Sequence, residues 1–390
     1  MFQVKVLNNI SDRGLAQFSK EKYHLSNQVE NPDAILVRSF DMHPMEFSEN
    51  VQVVGRAGAG TNNIPVERLT KRGVPVLNTP GANANAVKEL VVASLLVASR
   101  NICKAWHYVE QLEISDAVEL HHHVEQKKKQ FVGGELPGKT LGIIGLGNIG
   151  VQVANSAYQL GMRVIGYDAS ITVKNAWQLS SNVEQAENID QVFQQSDFIS
   201  LHIPLMEVTK NLINEQKLSL FKKNAVLLNF AREGIIDNVA LLQALNDNRV
   251  SGYICDFPDP LFRNNPKVIC LPHLGASTNE AEENCAMMIA RQVKSFLEDG
   301  YITNAVNFPD VRLQRVRSES YRLAVVNANI PNMVAQISTV LSNHKVNIID
   351  MINKSKGDIA YTLMDINSPL NEEVLRQIKS IDGVVRARQI

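Results

Sequence analysis

Apolar residues in this chain come in short runs separated by polar or helix-forming stretches. From the first residue to about Gly81 the runs VKVLN, AILVRS, VQVVGRAG and VPVLN each end in a polar or glycine-rich turn. That rhythm predicts βαβ units and a parallel sheet. NAVKELVVASLLVAS (85–99) reads as one long, mostly buried helix. The segment 101–134 is polar and charge-rich. A second βα series runs from Lys139 to about Pro272, with strand cores TLGIIG, RVIGYD, DFISLHI, AVLLNFA, VSGYICD and KVICLP. After Pro309 the register changes to strand, helix, strand, strand, helix, strand, a compact βαββαβ module. The intervening FPDVRLQRVRS (308–318) is proline-containing and charged, as a linker is expected to be.

A length of 390 residues exceeds one hydrophobic core, so two or three domains are expected. The 45% hydrophobic and 20% charged fractions fit ordinary globular domains. A net charge of −1 gives no footprint for a nucleic-acid or membrane partner. Cys103, Cys255, Cys270 and Cys285 lack CxxC spacing and read as reduced small hydrophobes, not a disulfide framework or zinc site. His121, His122 and His123 are consecutive, and neighbours on a helix point in different directions. They read as solvated surface, and no metal is expected. The opening MFQVKVLNNI alternates like a strand and has no apolar core of a signal peptide, while the apolar segment 90–98 is too short to span a bilayer. A soluble cytoplasmic chain is the expectation.

GLGNIG at 145–150 follows a strand and opens a helical stretch, the context in which a GxGxxG pattern binds a dinucleotide. Gly145 permits the tight turn, Gly147 lets backbone approach a pyrophosphate, and Gly150 lets helix pack on strand. The helix N-terminus, beginning at Asn148 and Ile149, offers free N–H groups to phosphates. Asp168, which ends the next strand, is spaced to accept from the ribose 2′-hydroxyl and to repel a 2′-phosphate, so NAD is favoured over NADP. GRAGAG at 55–60 is a decoy, since no helix begins at the right place.

Hydride transfer to a nicotinamide needs a cation for the substrate, an acid/base for the hydroxyl proton, and a group that orients that base. Strand ends of the second series supply Arg232 (NFAREGIID), Asp256 (after VSGYIC) and His273 (after KVICLP). The motifs GRAGAGTNNI, NTPGANANAVKEL, GKTLGIIGLGNIG, NFAREGIID and LPHLGAST, spread over the first 300 residues, resemble those of the D-isomer-specific 2-hydroxy acid dehydrogenases. They look most like that family's D-3-phosphoglycerate dehydrogenase branch. The C-terminal module resembles an ACT domain.

The resemblance implies an α/β protein with two Rossmann-like domains, one split, followed by a small ACT-like domain. The substrate domain would cover 1–95 and 276–307, the NAD domain 96–275, and the ACT-like domain 319–390. Arg232 would hold the substrate's carboxylate and carbonyl oxygens, and His273 would be the acid/base. Asp256 would meet the nicotinamide carboxamide. Arg38, Ser39, Arg56, Gly58 and Asn78 would lie along the substrate, the arginines at its phosphate, with Gly81 and Glu89 in the same motifs. The family's usual partner of the histidine is a glutamate in a DVFxxEP pattern. Here DFPDP makes Asp259 the expected substitute. In the ACT-like module Asn332 stands where glycine is usual, and Asn327, Asn329 and Asn347 are candidates for an amide-rich serine site, the alternative being subunit pairing alone. The expected reaction is NAD-dependent oxidation of 3-phosphoglycerate on the way to serine, in a homodimer or homotetramer. A glyoxylate, hydroxypyruvate or D-lactate reductase of the same fold stays open, as does a non-catalytic NAD sensor.

Overall fold

The computed structural model describes residues 1–315 and 320–390. Positions 316–318 of the expected linker, and 319, where the third domain was expected to begin, lie outside the described residues. The chain forms two compact units, one of residues 1–83 with 279–390 and one of residues 84–278.

In the first unit the strands Tyr23–Ser26, Phe2–Val6, Ala34–Val37, Val53–Arg56 and Val76–Leu77 lie side by side in that order, all parallel. Ala34–Val37 is a continuous apolar run because both its faces are covered. Ala34 and Leu36 join one core, Ile35 and Val37 the other. The long helix Asn279–Asp299 covers the first face with Ile289, Ala290, Val293, Phe296 and Leu297.

The C-terminal module has the expected order, with an antiparallel sheet arranged Ile348–Lys356, Ile359–Ile366, Tyr321–Ala328, Val384–Gln389. Alternation along Tyr321–Ala328 divides its side chains between two cores. Leu323 and Val325 meet the helices Met333–Asn343 and Glu372–Ser380, while Ala324 and Val326 turn towards the core of the N-terminal sheet. Arg322, fully buried, pairs with Asp365 at 2.7 Å and donates to the carbonyls of Asp299 and Leu313 at 2.9 and 2.8 Å. Removing one partner of such a pair costs about 3–5 kcal/mol, because the other charge is left stranded. Asn332 has φ 71° and caps the helix Met333–Asn343, a left-handed backbone that asparagine adopts more readily than most residues, which is how it stands where glycine is usual. The 308–315 stretch is not a free linker. Phe308, Val311 and Leu313 are buried in the unit's core and Val311 bridges Ile302, because alternate apolar residues there give the segment one face to bury.

In the second unit seven parallel strands run Val268–Cys270, Val250–Cys255, Ala225–Asn229, Phe198–Leu201, Thr140–Ile144, Arg163–Tyr167, Glu184–Gln185. Thr140–Ile144, first in the chain, is flanked by Arg163–Tyr167 and Phe198–Leu201, so strand order reverses there. Ligands of open α/β sheets bind at the carboxyl ends of the strands beside that reversal. The helix Ala84–Arg100 packs Val87, Val91 and Leu95 against this unit's core. The polar segment after it forms the helices Ile102–Glu110 and Ala117–Lys127, with the histidine triplet on the second. Among the described residues no helix is long and apolar enough to cross a membrane.

Candidate active site

The dinucleotide-type loop sits at the reversal point. Gly145 has φ 95°, and a Cβ there would lie 2.5 Å from the carbonyl oxygen of His202 on the next strand end. Gly150, in the first turn of the helix Asn148–Gln159, would drive a Cβ to 1.9 Å from the Gly145 carbonyl. Both positions therefore need glycine for the fold itself. Gly147 differs: a Cβ there meets nothing within 4 Å, so the fold has no need of glycine at that point. Open space over a helix N-terminus, left by a residue with no side chain, is what a close-lying pyrophosphate requires. The residues present fit a dinucleotide. Asp168 anchors the loop by accepting from the N–H of Leu146 at 2.6 Å and of Ser170 at 2.8 Å.

His202 follows the strand Phe198–Leu201, and its N–H donates to the Ile144 carbonyl at 2.7 Å. Its ring pairs with Ser200 Oγ at 2.9 Å through Nε2, while Nδ1 is buried without a partner. Burial pushes its pKa down from 6.5 to about 4, so the ring is neutral. Nothing in the motifs above singled it out. Its signal is a lone histidine at a strand end, in SLHIP.

Three adjacent strand ends carry the remaining candidates. Asn229, Cys255 and Cys270 are register partners across them. Arg232 therefore lies three residues beyond one strand end, Asp256 one beyond the next, and His273 three beyond the third. Arg232 is partly buried, and desolvation lowers its pKa. Its guanidinium donates to the Ala231 carbonyl at 2.6 Å, and no carboxylate pairs with it among the described residues. A cation held half out of water without a counter-charge is a receptor for an anion.

Asp256 is buried at 2% exposure, and its two oxygens accept from the N–H groups of Leu274 and Gly275, each at 2.6 Å. The carboxamide contact expected of Asp256 finds a carboxylate already committed to the loop that carries His273. The reason is the short connection: strand Val268–Cys270 ends three residues before His273, which turns the next amides back over the neighbouring strand end. His273 has φ 58°, a left-handed backbone that costs an ordinary residue about 1–2 kcal/mol, and the Asp256 bonds offset it. The imidazole is exposed, with the Phe257 ring edge-on at 5.2 Å.

Asp259 does not reach His273. Its Oδ1 caps the short helical turn Pro260–Phe262 through the Leu261 N–H at 2.8 Å, and its Oδ2 accepts from Asn238 at 2.7 Å. With Pro260 behind it, the side chain is held on the turn. Among the described residues no side chain hydrogen-bonds the His273 ring.

In the other unit Arg38 follows the strand Ala34–Val37 and pairs with Glu282 at 2.6 Å. Arg56 ends the next strand, and its Nε donates to the Arg38 carbonyl at 3.2 Å. Gly58 keeps that guanidinium in place, since a Cβ there would lie 2.2 Å from Arg56 Nη1. Asn78 donates to the Ala59 carbonyl at 2.6 Å, Thr79 N–H to the Gly58 carbonyl at 3.1 Å, and Ser39 is exposed beside Arg38. These five sequence candidates thus gather at one sheet edge. Glu282, absent from the sequence candidates, joins them because the helix Asn279–Asp299 begins there. Gly81 and Glu89 lie in the turn and helix that follow, and Glu89 accepts from Asn85 at 2.8 Å.

The three C-terminal asparagines do not converge within one chain. Asn327 is buried with Oδ1 unpartnered, and Asn329 donates to the Gly357 carbonyl at 3.0 Å, both at one end of the sheet. Asn347 exchanges bonds with Asn367 beside the pair Ile348–Ile366, at the opposite end. Six residues of strand separate the ends, about 20 Å.

Residues 92–275 match the family model of the D-isomer specific 2-hydroxyacid dehydrogenase NAD binding domain. The D-3-phosphoglycerate dehydrogenase of Methanocaldococcus jannaschii is 33% identical over 373 residues, 93% of this chain and 67% of its own. That of Haemophilus influenzae is 32% identical over 356 residues, 88% of this chain and 82% of its own. A crystal structure of NAD+-bound 3-phosphoglycerate dehydrogenase from Entamoeba histolytica superposes with a TM-score of 0.61 at 26% identity, covering 78% of this chain and 98% of that one. The chain therefore belongs to the D-isomer-specific 2-hydroxyacid dehydrogenase family, with an NAD-binding domain over residues 92–275.

Proposed function

We propose that the protein catalyses NAD-dependent oxidation of 3-phosphoglycerate to 3-phosphohydroxypyruvate, the entry to serine synthesis. One observation carries the chemistry: Arg232, a partly buried cation without a carboxylate partner among the described residues, shares a sheet edge with the GLGNIG loop and with a free His273 imidazole. When bound, NAD supplies the hydride acceptor. His273 takes the proton of the substrate's C2 hydroxyl at a ring nitrogen and returns it in the reverse direction. Arg232 holds the substrate carboxylate and stabilises charge on the C2 oxygen as the carbonyl forms. Asp256 holds the His273 loop, and Asp168 holds the cofactor loop and accepts from the adenosine ribose. Arg38 and Arg56 supply cationic groups for the substrate's phosphate, a role supported by their meeting on one strand edge with Gly58. The name shared by the relatives supports the substrate.

Helix Ile102–Glu110 exposes Ile102, Trp106 and Val109, one helical face left without a partner, which supports a homo-oligomer. Asn327 and Asn329 offer amides for serine as an effector of the ACT-like module. Unchanged turnover at millimolar serine, with no heat of binding, would remove that part.

The test is reduction of NAD, followed by near-ultraviolet absorbance, with 3-phosphoglycerate, D-lactate, glycerate and D-2-hydroxyglutarate in parallel at alkaline pH. Reduction with 3-phosphoglycerate alone is expected. Reduction only with an unphosphorylated acid would overturn the substrate and keep the chemistry.

A further inference from the structure

Two of the four cysteines, 15 residues apart and without CxxC spacing, meet in the fold. Cys255 ends one parallel strand, Cys270 ends its neighbour, and the two are register partners. Neighbouring strands run about 4.8 Å apart, inside the Cα separation of about 4.4–6.8 Å that a disulfide bridges. The sulfurs are 3.5 Å apart. Cys255 is buried, Cys270 is half-buried on the edge strand, and Cys103 alone of the four is exposed. The pair stands against the catalytic loop on both sides. Cys255 directly precedes Asp256, whose carboxylate holds the amides of Leu274 and Gly275. The Leu271 N–H donates to the Cys255 carbonyl at 2.8 Å, two residues before His273. The Cys255 thiol proton is shared between the Phe257 carbonyl at 3.3 Å and the Cys270 sulfur at 3.5 Å, and the Phe257 ring touches His273.

We propose that Cys255 and Cys270 form a peroxide-sensitive dithiol site, with Cys270 as the attacking thiol and Cys255 as the resolving one, whose disulfide switches the His273 loop off. The effect on turnover rests on the catalytic reading of His273 given above; the disulfide itself does not. The Cys270 thiolate attacks one oxygen of a peroxide, the S–O bond forms as the O–O bond breaks, and the departing hydroxide or alkoxide takes up the proton that Cys270 had released, leaving as water or alcohol. The Cys255 sulfur then attacks the sulfenic sulfur, the S–S bond forms, the S–O bond breaks, and a second water leaves with the Cys255 proton. Two thiols are oxidised by two electrons and one peroxide is reduced. A small dithiol reverses the bond. The Cys255 hydrogen bond and the Asp259 amide hold the Cys270 thiol below the ordinary thiol range, while the bond to Cys270 and burial push Cys255 up, in keeping with this division of roles. Closing the sulfurs from 3.5 Å to about 2.05 Å turns the Cys255 side chain and removes its thiol proton, which breaks its bond to Phe257 and releases the residue whose ring packs on His273. Misplacing a catalytic group by about 1 Å can cost about 100-fold.

The experiment treats the full-length Cys103→Ser protein with stoichiometric hydrogen peroxide, caps free thiols, and maps peptides by mass, with turnover read before and after dithiothreitol. A linked Cys255–Cys270 peptide, turnover down about 100-fold and recovery on reduction are expected. Cys270→Ser and, separately, Cys255→Ala should give no linked peptide and keep their activity through the same treatment. Absence of the link, with Cys270 unmodified or over-oxidised to the sulfinic acid, overturns the site. A link with unchanged turnover overturns the switch. The peptide map decides the thiol pair even if 3-phosphoglycerate is not the substrate, so the two failures are separable.

Discussion

Replacing Asp256 by asparagine keeps the shape of the side chain and removes its charge. In the wild type two backbone amides, Leu274 and Gly275, each donate to a carboxylate oxygen at 2.6 Å in a buried site. Hydrogen bonds to a charged group contribute about 1.5–3 kcal/mol each. Asparagine keeps one neutral acceptor and turns an NH2 group towards the other amide, so one bond weakens and one is replaced by donor facing donor. The loop therefore loses roughly 2–4 kcal/mol of anchoring. Its left-handed His273, φ 58°, is then free to relax. If the whole loss falls on the loop's open–closed equilibrium, turnover drops by about 30- to 1,000-fold. The assay is kcat and KM for NAD, beside hydrogen exchange of the two amides. The expected pattern is a fallen kcat, faster exchange at 274 and 275, and a KM for NAD within about threefold. Had Asp256 contacted the nicotinamide carboxamide, NAD affinity would carry the loss instead. A kcat within twofold of wild type with unchanged exchange would refute the anchoring argument.

Five other variants test the rest of the site. His273→Ala should cost turnover about 100- to 10,000-fold with NAD binding retained, measured by steady-state kinetics and cofactor fluorescence. Asp259→Ala should cost about 1 kcal/mol of stability through its lost cap and keep turnover within about threefold; a kinetic loss matching His273→Ala would restore it as the histidine's partner. Gly147→Ala should fold with normal thermal stability yet bind NAD at least about tenfold more weakly, whereas Gly150→Ala should lower the melting temperature itself, since its Cβ meets the Gly145 carbonyl at 1.9 Å. His202 binds its proton more weakly folded, at about 4, than unfolded, at 6.5, so its contribution is full above about pH 6.5 and is lost as pH falls towards 4. The span is at most about 3 kcal/mol, and His202→Gln should flatten that part of the stability–pH curve in urea titrations.

Local pattern carried much of this protein in plain view. Strand cores ending in turns, GLGNIG between a strand and a helix, and Asp168 at the next strand end need only neighbours in sequence to be recognised, because backbone geometry and side-chain period are local. Side-chain partnership was not legible in that way. DFPDP offers two carboxylates to a histidine fourteen or more residues on, and the family resemblance favoured Asp259. The fold decided otherwise, because Pro260 and Asn238 hold Asp259 on its own turn while Asp256 reaches the loop amides. The same holds for Arg38 with Glu282, 244 positions apart, and for Cys255 with Cys270, which read as unrelated hydrophobes until two strands came into register. Asn327 and Asn347 show the converse, with candidates of one chemistry placed at opposite ends of one sheet. Sequence determined the elements, the cofactor loop and the list of reactive groups. Only the tertiary structure decided which of those groups meet, since strand order and register set distances that chain separation does not encode.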